Sequence, residues 1–284
     1  MYNVENSKFI VFNGKLVDCS RPRVMAIINS TPDSFYAGSR NESVESLRRS
    51  VEKAMTEGAD MLDVGGYSSR PGACEVPVEE EIHRVATALE VIRADWGDVP
   101  VSVDTFRGEV ARVAVTECGA SMINDISAFS LDDDMLKAIV DLEVPYILMH
   151  MRGTPQTMQS MTEYDDFIPD VLRFFAEKID TLRQAGFSKE VILDPGFGFA
   201  KTVKQNYELL DKMGLLGEWG APVLVGVSRK SMIYRLLGTT PEESLNGTSV
   251  INAFALERGA NILRVHDVKE AVETVKIFLK MRGE

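Results

Sequence analysis

Residues 101–125, VSVDTFRGEVARVAVTECGASMIND, hold one full period of this chain. Two short apolar runs, closing on Asp104 and on Asp125, enclose a longer stretch whose apolar residues recur at helical spacing. The short runs predict strands and the longer stretch a helix between them. The same period recurs in both directions. Runs with strand character end near Asn29, Val64, Asp104, Asp125, His150, Asp194, Val227 and Val265, a mean step of about 34 residues, which is the length of a βα unit. Eight such units fill the chain and predict one α/β domain over residues 1–284, a (β/α)8 TIM barrel. A doubly wound open sheet usually has fewer strands and a Gly-rich first turn, and no GxGxxG follows the first run.

The punctuation agrees with this cadence. Pro77 is placed to start a helix with the stripe Val78, Ile82, Val85, Leu89 and Ile92, and Gly186 to end one carrying Phe167, Val171, Phe174, Ile179 and Leu182. Asp267 and Glu270 are spaced as a capping box for a last helix with Ala271, Val275, Phe278 and Leu279 on its apolar face. Ahead of the first unit, Asn13-Gly14 between residues 9–11 and 15–18 predicts a short N-terminal hairpin, placed to cap the bottom of the barrel.

The 284 residues are 45% hydrophobic and carry a net charge of −12. That balance argues against nucleic acid or an anionic membrane as partner, and it requires any small anion to be bound by locally gathered cations. Cys19, Cys74 and Cys118 form no CxxC pair and are odd in number, so they read as idle thiols of a reducing compartment. The N-terminus lacks a signal-peptide pattern, and apolar runs such as 24–28 and 146–149 are too short to span a bilayer, so the expected location is cytoplasmic. His83, His150 and His266 are dispersed and no HExxH occurs, so a zinc centre is not expected. Nor is there a GxSxG or GxxxxGK[ST] motif.

Barrel active sites lie at the C-terminal ends of the strands, and there the polar residues collect: Asn29; Gly65-Gly66 leading to Ser68-Ser69-Arg70; Asp104; Asn124-Asp125; His150; Asp194; Ser228-Arg229-Lys230; Arg264 and His266. A lone Asp after a strand is more often a helix cap, yet unrelated caps need not all fall on one rim. Asp104, Asn124, Asp194 and Lys230 offer the donors and acceptors needed to read a flat heterocycle. Arg70, Arg264 and His266, with Ser69 and Asn29, suit a polyanion. His150, flanked by Met149 and Met151, reads as a packing residue, and His83 as a surface one.

The segments 25–35 (MAIINSTPDSF), 63–73 (DVGGYSSRPGA), 101–105 (VSVDT), 123–126 (INDI), 149–151 (MHM), 192–199 (ILDPGFGF), 227–231 (VSRKS) and 263–267 (LRVHD) resemble, in order and over nearly the whole chain, the dihydropteroate synthase family of pterin-binding barrels. The resemblance implies an enzyme of folate biosynthesis. Such an enzyme joins 6-hydroxymethyl-7,8-dihydropterin diphosphate to 4-aminobenzoate, releases diphosphate, and is the target of sulfonamides. By that resemblance Asp104, Asn124, Ile126, Met149, Asp194 and Lys230 bind the pterin, and Asn29, Ser69, Arg70, Arg264 and His266 the diphosphate. Ser69, Arg70, Pro71, Phe199, Lys230 and Ser231 form the 4-aminobenzoate pocket. The resemblance further implies that Asn29 is the ligand of a Mg²⁺ cofactor and that Asp33, Asn29 and Lys230 serve catalysis, with diphosphate leaving before the amine attacks. A homodimer through the C-terminal helices is also implied.

Tyr67, Arg152 and Ala200 depart from the family's pattern without removing a ligand. Two rivals remain open. A pterin-dependent methyltransferase would share Asp104, Asn124 and Asp194 but would not need Arg70, Lys230-Ser231 and the Arg264/His266 pair. A non-catalytic pterin-binding protein would have no need for a complete strand-end set.

Overall fold

The computed structural model describes residues 8–12, 14–29, 40–67 and 75–284, with residues 40–43 described by their backbone only. A two-stranded antiparallel hairpin comes first, β1 (Phe9–Phe12) and β2 (Lys15–Asp18), in the register Phe9 opposite Asp18 and Phe12 opposite Lys15. Eight parallel strands follow: β3 (Arg23–Asn29), β4 (Met61–Gly65), β5 (Val101–Asp104), β6 (Met122–Asp125), β7 (Tyr146–Met149), β8 (Val191–Asp194), β9 (Leu224–Val225) and β10 (Ile262–Val265). Their order is β8-β7-β6-β5-β4-β3-β10-β9. The ring closes where Leu193 bridges Val223 in parallel and the Leu193 N–H donates to the Pro222 carbonyl at 2.9 Å. This is the predicted α/β barrel with its N-terminal hairpin.

Helices α1 (Arg40–Glu57), α2 (Val78–Asp95), α3 (Gly108–Thr116), α4 (Met135–Leu142), α5 (Phe167–Gln184) and α6 (Val203–Lys212) each follow one strand. Two, α7 (Ser231–Leu237) and α8 (Leu245–Glu257), separate β9 from β10, and α9 (Val268–Met281) ends the chain. They bury their apolar stripes against the outside of the sheet, as the wider core of Val64, Val103, Leu148, Leu193 and Val265 with Leu89, Ile139, Phe175 and Leu279 shows.

Side chains of a strand alternate between its two faces, and the hairpin identifies which set points into the barrel. Ile10, Phe12 and Cys19 pack in one cluster with Met25, Met61, Met122, Ile147, Ile192, Leu224 and Ile262, one residue from every barrel strand except β5. The hairpin is therefore the floor of the barrel, as its position in the sequence predicted. Two residues further along these strands, the inward set becomes Ile27, Asp63, Asn124, Met149, Asp194, Gly226 and Arg264, four of them polar where the layer below is wholly apolar. A single side chain fastens this floor to the seam: Asn261 Oδ1 accepts from Lys8 Nζ at 2.9 Å and from the Val223 N–H at 3.0 Å, while Nδ2 donates to the Cys19 carbonyl at 2.8 Å.

Three local readings need correction or relocation. Asp267 makes no side-chain cap on α9. Its carboxylate instead takes a two-pronged bond from Arg229, Nε and Nη2 each at 2.8 Å, because a guanidinium fork is a stronger partner for a carboxylate than a neutral backbone N–H. The capping box belongs to α6, where Thr202 and Gln205 exchange side-chain-to-backbone bonds. On α5 the buried stripe is Phe167, Val171, Phe175, Ile179 and Leu182, with Phe175 in the place expected for Phe174, which is half-buried. Gly186, at φ 88°, ends that helix as expected, and Gly14, at φ 77°, turns the hairpin, with Asn13 outside the described residues.

Candidate active site

Arg264, on β10, organises the polar layer. Its Nε donates to Asp63 Oδ2 at 2.6 Å and its Nη2 to Asp104 Oδ2 at 2.8 Å, so one guanidinium is shared by carboxylates of β4 and β5. Asn124 Nδ2 also donates to Asp63 Oδ2, at 3.2 Å. That bond fixes the amide's direction and leaves Asn124 Oδ1, like Asp63 Oδ1, buried without a hydrogen-bond partner among the described residues. Buried polar atoms are nearly always paired, so these two oxygens are open acceptors among the described residues, with the equally unpartnered Ser102 Oγ on the strand beside Asp63.

Two carboxylates against one cation leave an excess of negative charge in a confined space. Burial pushes the Asp104 carboxyl up to about 7, against the pull of Arg264 and with the help of Asp63. Burial alone would lower Arg264, but Asp63 and Asp104 outweigh it and hold the guanidinium above its ordinary range. Because Asp104 holds its proton more tightly folded than unfolded, it contributes stability at low pH that is lost as pH rises from about 4 to about 7.

Across the mouth lies a second acid–base pair. Asp194, the last residue of β8, accepts from the Gly196 N–H at 2.8 Å, and burial raises its carboxyl while Lys230 opposes the shift. Burial likewise lowers the Lys230 ammonium to about 8, opposed by Asp194. Lys230 Nζ donates to the Phe197 carbonyl at 2.7 Å and stands 4.5 Å from the centre of the Phe199 ring. The DPGFGF turn that supplies both contacts needs its first glycine: at Gly196, φ is 68° and an added Cβ would fall 2.0 Å from the His150 carbonyl oxygen. Ala200 also has positive φ, 49°, a conformation in which glycine would carry less strain.

An apolar shelf borders these groups. Ile126, Met149, Met151, Met158 and Ala200 form one cluster, with Phe106, Leu131 and Phe199 packed against it. The described residues expected at the site thus divide clearly. Asp104, Asn124, Ile126, Met149, Asp194, Lys230, Phe199 and Arg264 line the mouth of the barrel, with Ser231 next to Lys230 at the start of α7. Asn29 ends β3, opposite Gly65, at the exposed rim. His266 is exposed, its Nδ1 3.0 Å from Ser228 Oγ. Asp33, Ser69, Arg70 and Pro71 lie outside the described residues. The two roots of their second loop are held: Arg84 Nη1 donates to the Gly66 carbonyl at 3.2 Å, and Arg107 Nη1 to the Val76 carbonyl at 2.8 Å. Arg107 is itself paired at 2.7 Å with Glu81, which is fully buried.

His150 is a packing residue, buried edge-on against Phe174 at 4.8 Å and held well below its ordinary pKa by burial; His83 is exposed. Tyr67 packs edge-on against Phe106 at 5.2 Å, and the Arg152 guanidinium covers the Tyr164 ring at 4.6 Å. Two participants escaped the sequence reading: Asp63 and Lys201. Asp63 carried a signal, a charge two residues beyond floor residue Met61 in an otherwise apolar run. Among the described residues no three His, Cys, Asp or Glu side chains are arranged to hold a metal.

Comparison with known proteins agrees with this geometry. The model of the pterin-binding enzyme family matches residues 25–266. The chain is 44% identical to dihydropteroate synthase of Escherichia coli (strain K12), over 93% of each chain. It superposes on Xanthomonas albilineans dihydropteroate synthase solved with 4-aminobenzoic acid with a TM-score of 0.90, at 42% identity, over 98% of this chain and 99% of that one. For the same enzyme in complex with 7,8-dihydropteroate the TM-score is 0.86, at 39% identity, over 97% and 99%.

Proposed function

The chain belongs to the pterin-binding enzyme family and catalyses the dihydropteroate synthase reaction of folate biosynthesis, and we infer that it does so by letting diphosphate depart before the amine attacks. The observation that carries this reading is the inward register of β5, β6, β8 and β10, which gathers Asp104, Asn124, Asp194 and Arg264 in one mouth with Lys230 over it. The substrates are 6-hydroxymethyl-7,8-dihydropterin diphosphate and 4-aminobenzoate.

Asp104, the free oxygen of Asn124, and Asp194 accept N–H groups of the pterin, Lys230 donates to it, and Ile126 and Met149 pack on its faces. Arg264 and His266, with Ser69 and Arg70, bind the diphosphate. The bond from the pterin methylene carbon to oxygen breaks with its electron pair leaving on diphosphate, and the methylene cation is shielded from water by the apolar shelf. The neutral amine of 4-aminobenzoate, seated among Ser69, Arg70, Pro71, Phe199, Lys230 and Ser231, then forms the carbon–nitrogen bond and loses a proton. An aromatic amine is nucleophilic when neutral, so no strong base is needed. Asp33 helps to order the reacting centre.

The Asn29 carboxamide, an oxygen donor at the rim, suits Mg²⁺, which takes few protein ligands and bridges phosphate oxygens; when bound, the ion would neutralise charge on the leaving diphosphate. The exposed apolar side chains of α7 and α8, Leu236, Leu237, Val250 and Phe254, support a homodimer through these helices. No described helix is long and apolar enough to cross a membrane, in keeping with a cytoplasmic site of action.

The test is diphosphate release from the dihydropterin diphosphate, with and without 4-aminobenzoate and Mg²⁺. Amine-dependent release is expected; retained pterin binding without it would favour a methyltransferase or a non-catalytic binder. A second expectation concerns pH. Only the ionised Asp104 accepts two N–H bonds, so acidification through about 7 should weaken pterin binding. Calorimetry with 6-hydroxymethylpterin should show a roughly five- to tenfold loss of affinity between pH 7.5 and 6. The same loss in Asp104→Asn would exclude this carboxylate as the cause.

A further inference from the structure

The turn between β8 and α6 sends its carbonyl groups to different partners. Gly196, Gly198 and Ala200 all have positive φ. The Gly196 and Phe199 carbonyls accept from Lys201 Nζ at 2.9 and 3.0 Å, that of Phe197 from Lys230 Nζ at 2.7 Å, and that of Gly198 from Gln159 Nε2 at 3.2 Å. Two lysines therefore grip one short turn, Lys230 at the mouth and Lys201 within the protein, where it is 5% exposed.

Lys201 Nζ also lies 2.8 Å from His150 Nδ1 and 3.4 Å from the His150 carbonyl. An ammonium has three hydrogens, which matches Gly196 O, Phe199 O and His150 Nδ1. With the ammonium donating, the imidazole is the neutral form with its hydrogen on Nε2, a ring that burial keeps uncharged; burial also pulls the Lys201 ammonium well down from its ordinary range, opposed by Asp194. No carboxylate is bonded to this amine among the described residues. Burying a cation without such a partner is costly, and all three of its bonds serve to tie the turn to the end of β7.

We propose that Lys201 is a positioning residue for the amine half-reaction: by clamping the Gly196 and Phe199 carbonyls to His150, it fixes the Phe197 carbonyl and the Phe199 ring that hold Lys230 where 4-aminobenzoate enters. This rests on the site reading above. Of the pterin ligands, Asp194 and Lys230 touch this turn, through the Gly196 N–H and the Phe197 carbonyl, while Asp104 and Asn124 make no contact with Lys201. Phe199 and Lys230 both line the 4-aminobenzoate pocket, so its loss is felt by both substrates but more by the amine.

Steady-state kinetics of Lys201→Met and Lys201→Gln, with calorimetry of 6-hydroxymethylpterin, test this. In Lys201→Met the KM for 4-aminobenzoate should rise at least tenfold and kcat should fall, while the Kd of 6-hydroxymethylpterin stays within threefold of wild type. Lys201→Gln retains two hydrogens for the turn and should show the same split at smaller size; it carries the test if the Met variant does not fold. Either folded variant with wild-type constants for both substrates, or with equal losses for both, overturns the proposal. Absence of amine-dependent diphosphate release in the wild-type protein would instead overturn the site reading itself.

Discussion

Lys230→Ala is expected to lower kcat by about 10²–10³-fold, the cost of removing one preorganised donor from a reacting centre, while the barrel stays folded. Among the described residues the side chain is anchored by one hydrogen bond, to the Phe197 carbonyl, and by the Phe199 ring; Phe197 keeps its own side chain in the outer core whether or not its carbonyl is bonded. Removing the ammonium also takes away the charge that restrains Asp194, whose carboxyl burial already raises, so a second substrate contact weakens with the first. Kinetics with both substrates, beside a circular-dichroism melt, checks both halves. A variant that unfolds would show that Lys230 and Asp194 are core pairing rather than substrate ligands.

Arg264→Met, unlike Lys230→Ala, should act on the fold as well as on catalysis. It strands Asp63, fully buried, and Asp104 beside each other with no cation between them. Breaking a buried pair by removing one partner costs about 3–5 kcal/mol. In a chain of this size that is a fall in Tm of roughly 6–20 °C. Adding Asp63→Asn to Arg264→Met should recover part of that stability, because the cost lies in the uncompensated charge. A single variant that melts within a degree or two of wild type would mean that the three groups are far more solvated than their geometry implies.

The barrel could be read from the chain because its two periods are simple: alternation within a strand and a step of about 34 residues between strands. Strand ends at Asn29, Asp104, Asp125, Asp194 and Val265 fall where the apolar runs stop. β9 was read too long, to Val227, because a run of apolar residues reports burial, and β9 is buried beyond the two residues that pair. The polar set at the strand ends was legible for the same reason that the strands were: position along a strand fixes which side chains face inward. What holds that set in place was not. Lys201 looks like any loop cation until the fold brings His150, 51 residues away, against it. Asp267 looks like a helix cap until Arg229 arrives from 38 residues away. Partnerships of this kind depend on tertiary distance, to which periodicity is blind.

The Asn261 fastening has a consequence for how the molecule assembles. Its bond to Lys8 joins residues 253 apart in sequence, and its bond to Cys19 residues 242 apart. Contacts at such separation repay their loop-closure entropy only after most of the intervening chain has condensed. Strand β3 can pair with β4 early, but its other neighbour is β10, near the end of the chain. Until β10 is made, the sheet is therefore open, with β3 at one edge and β9 at the other both lacking the neighbour that β10 provides, and only the emergence of that final strand turns it into a vessel.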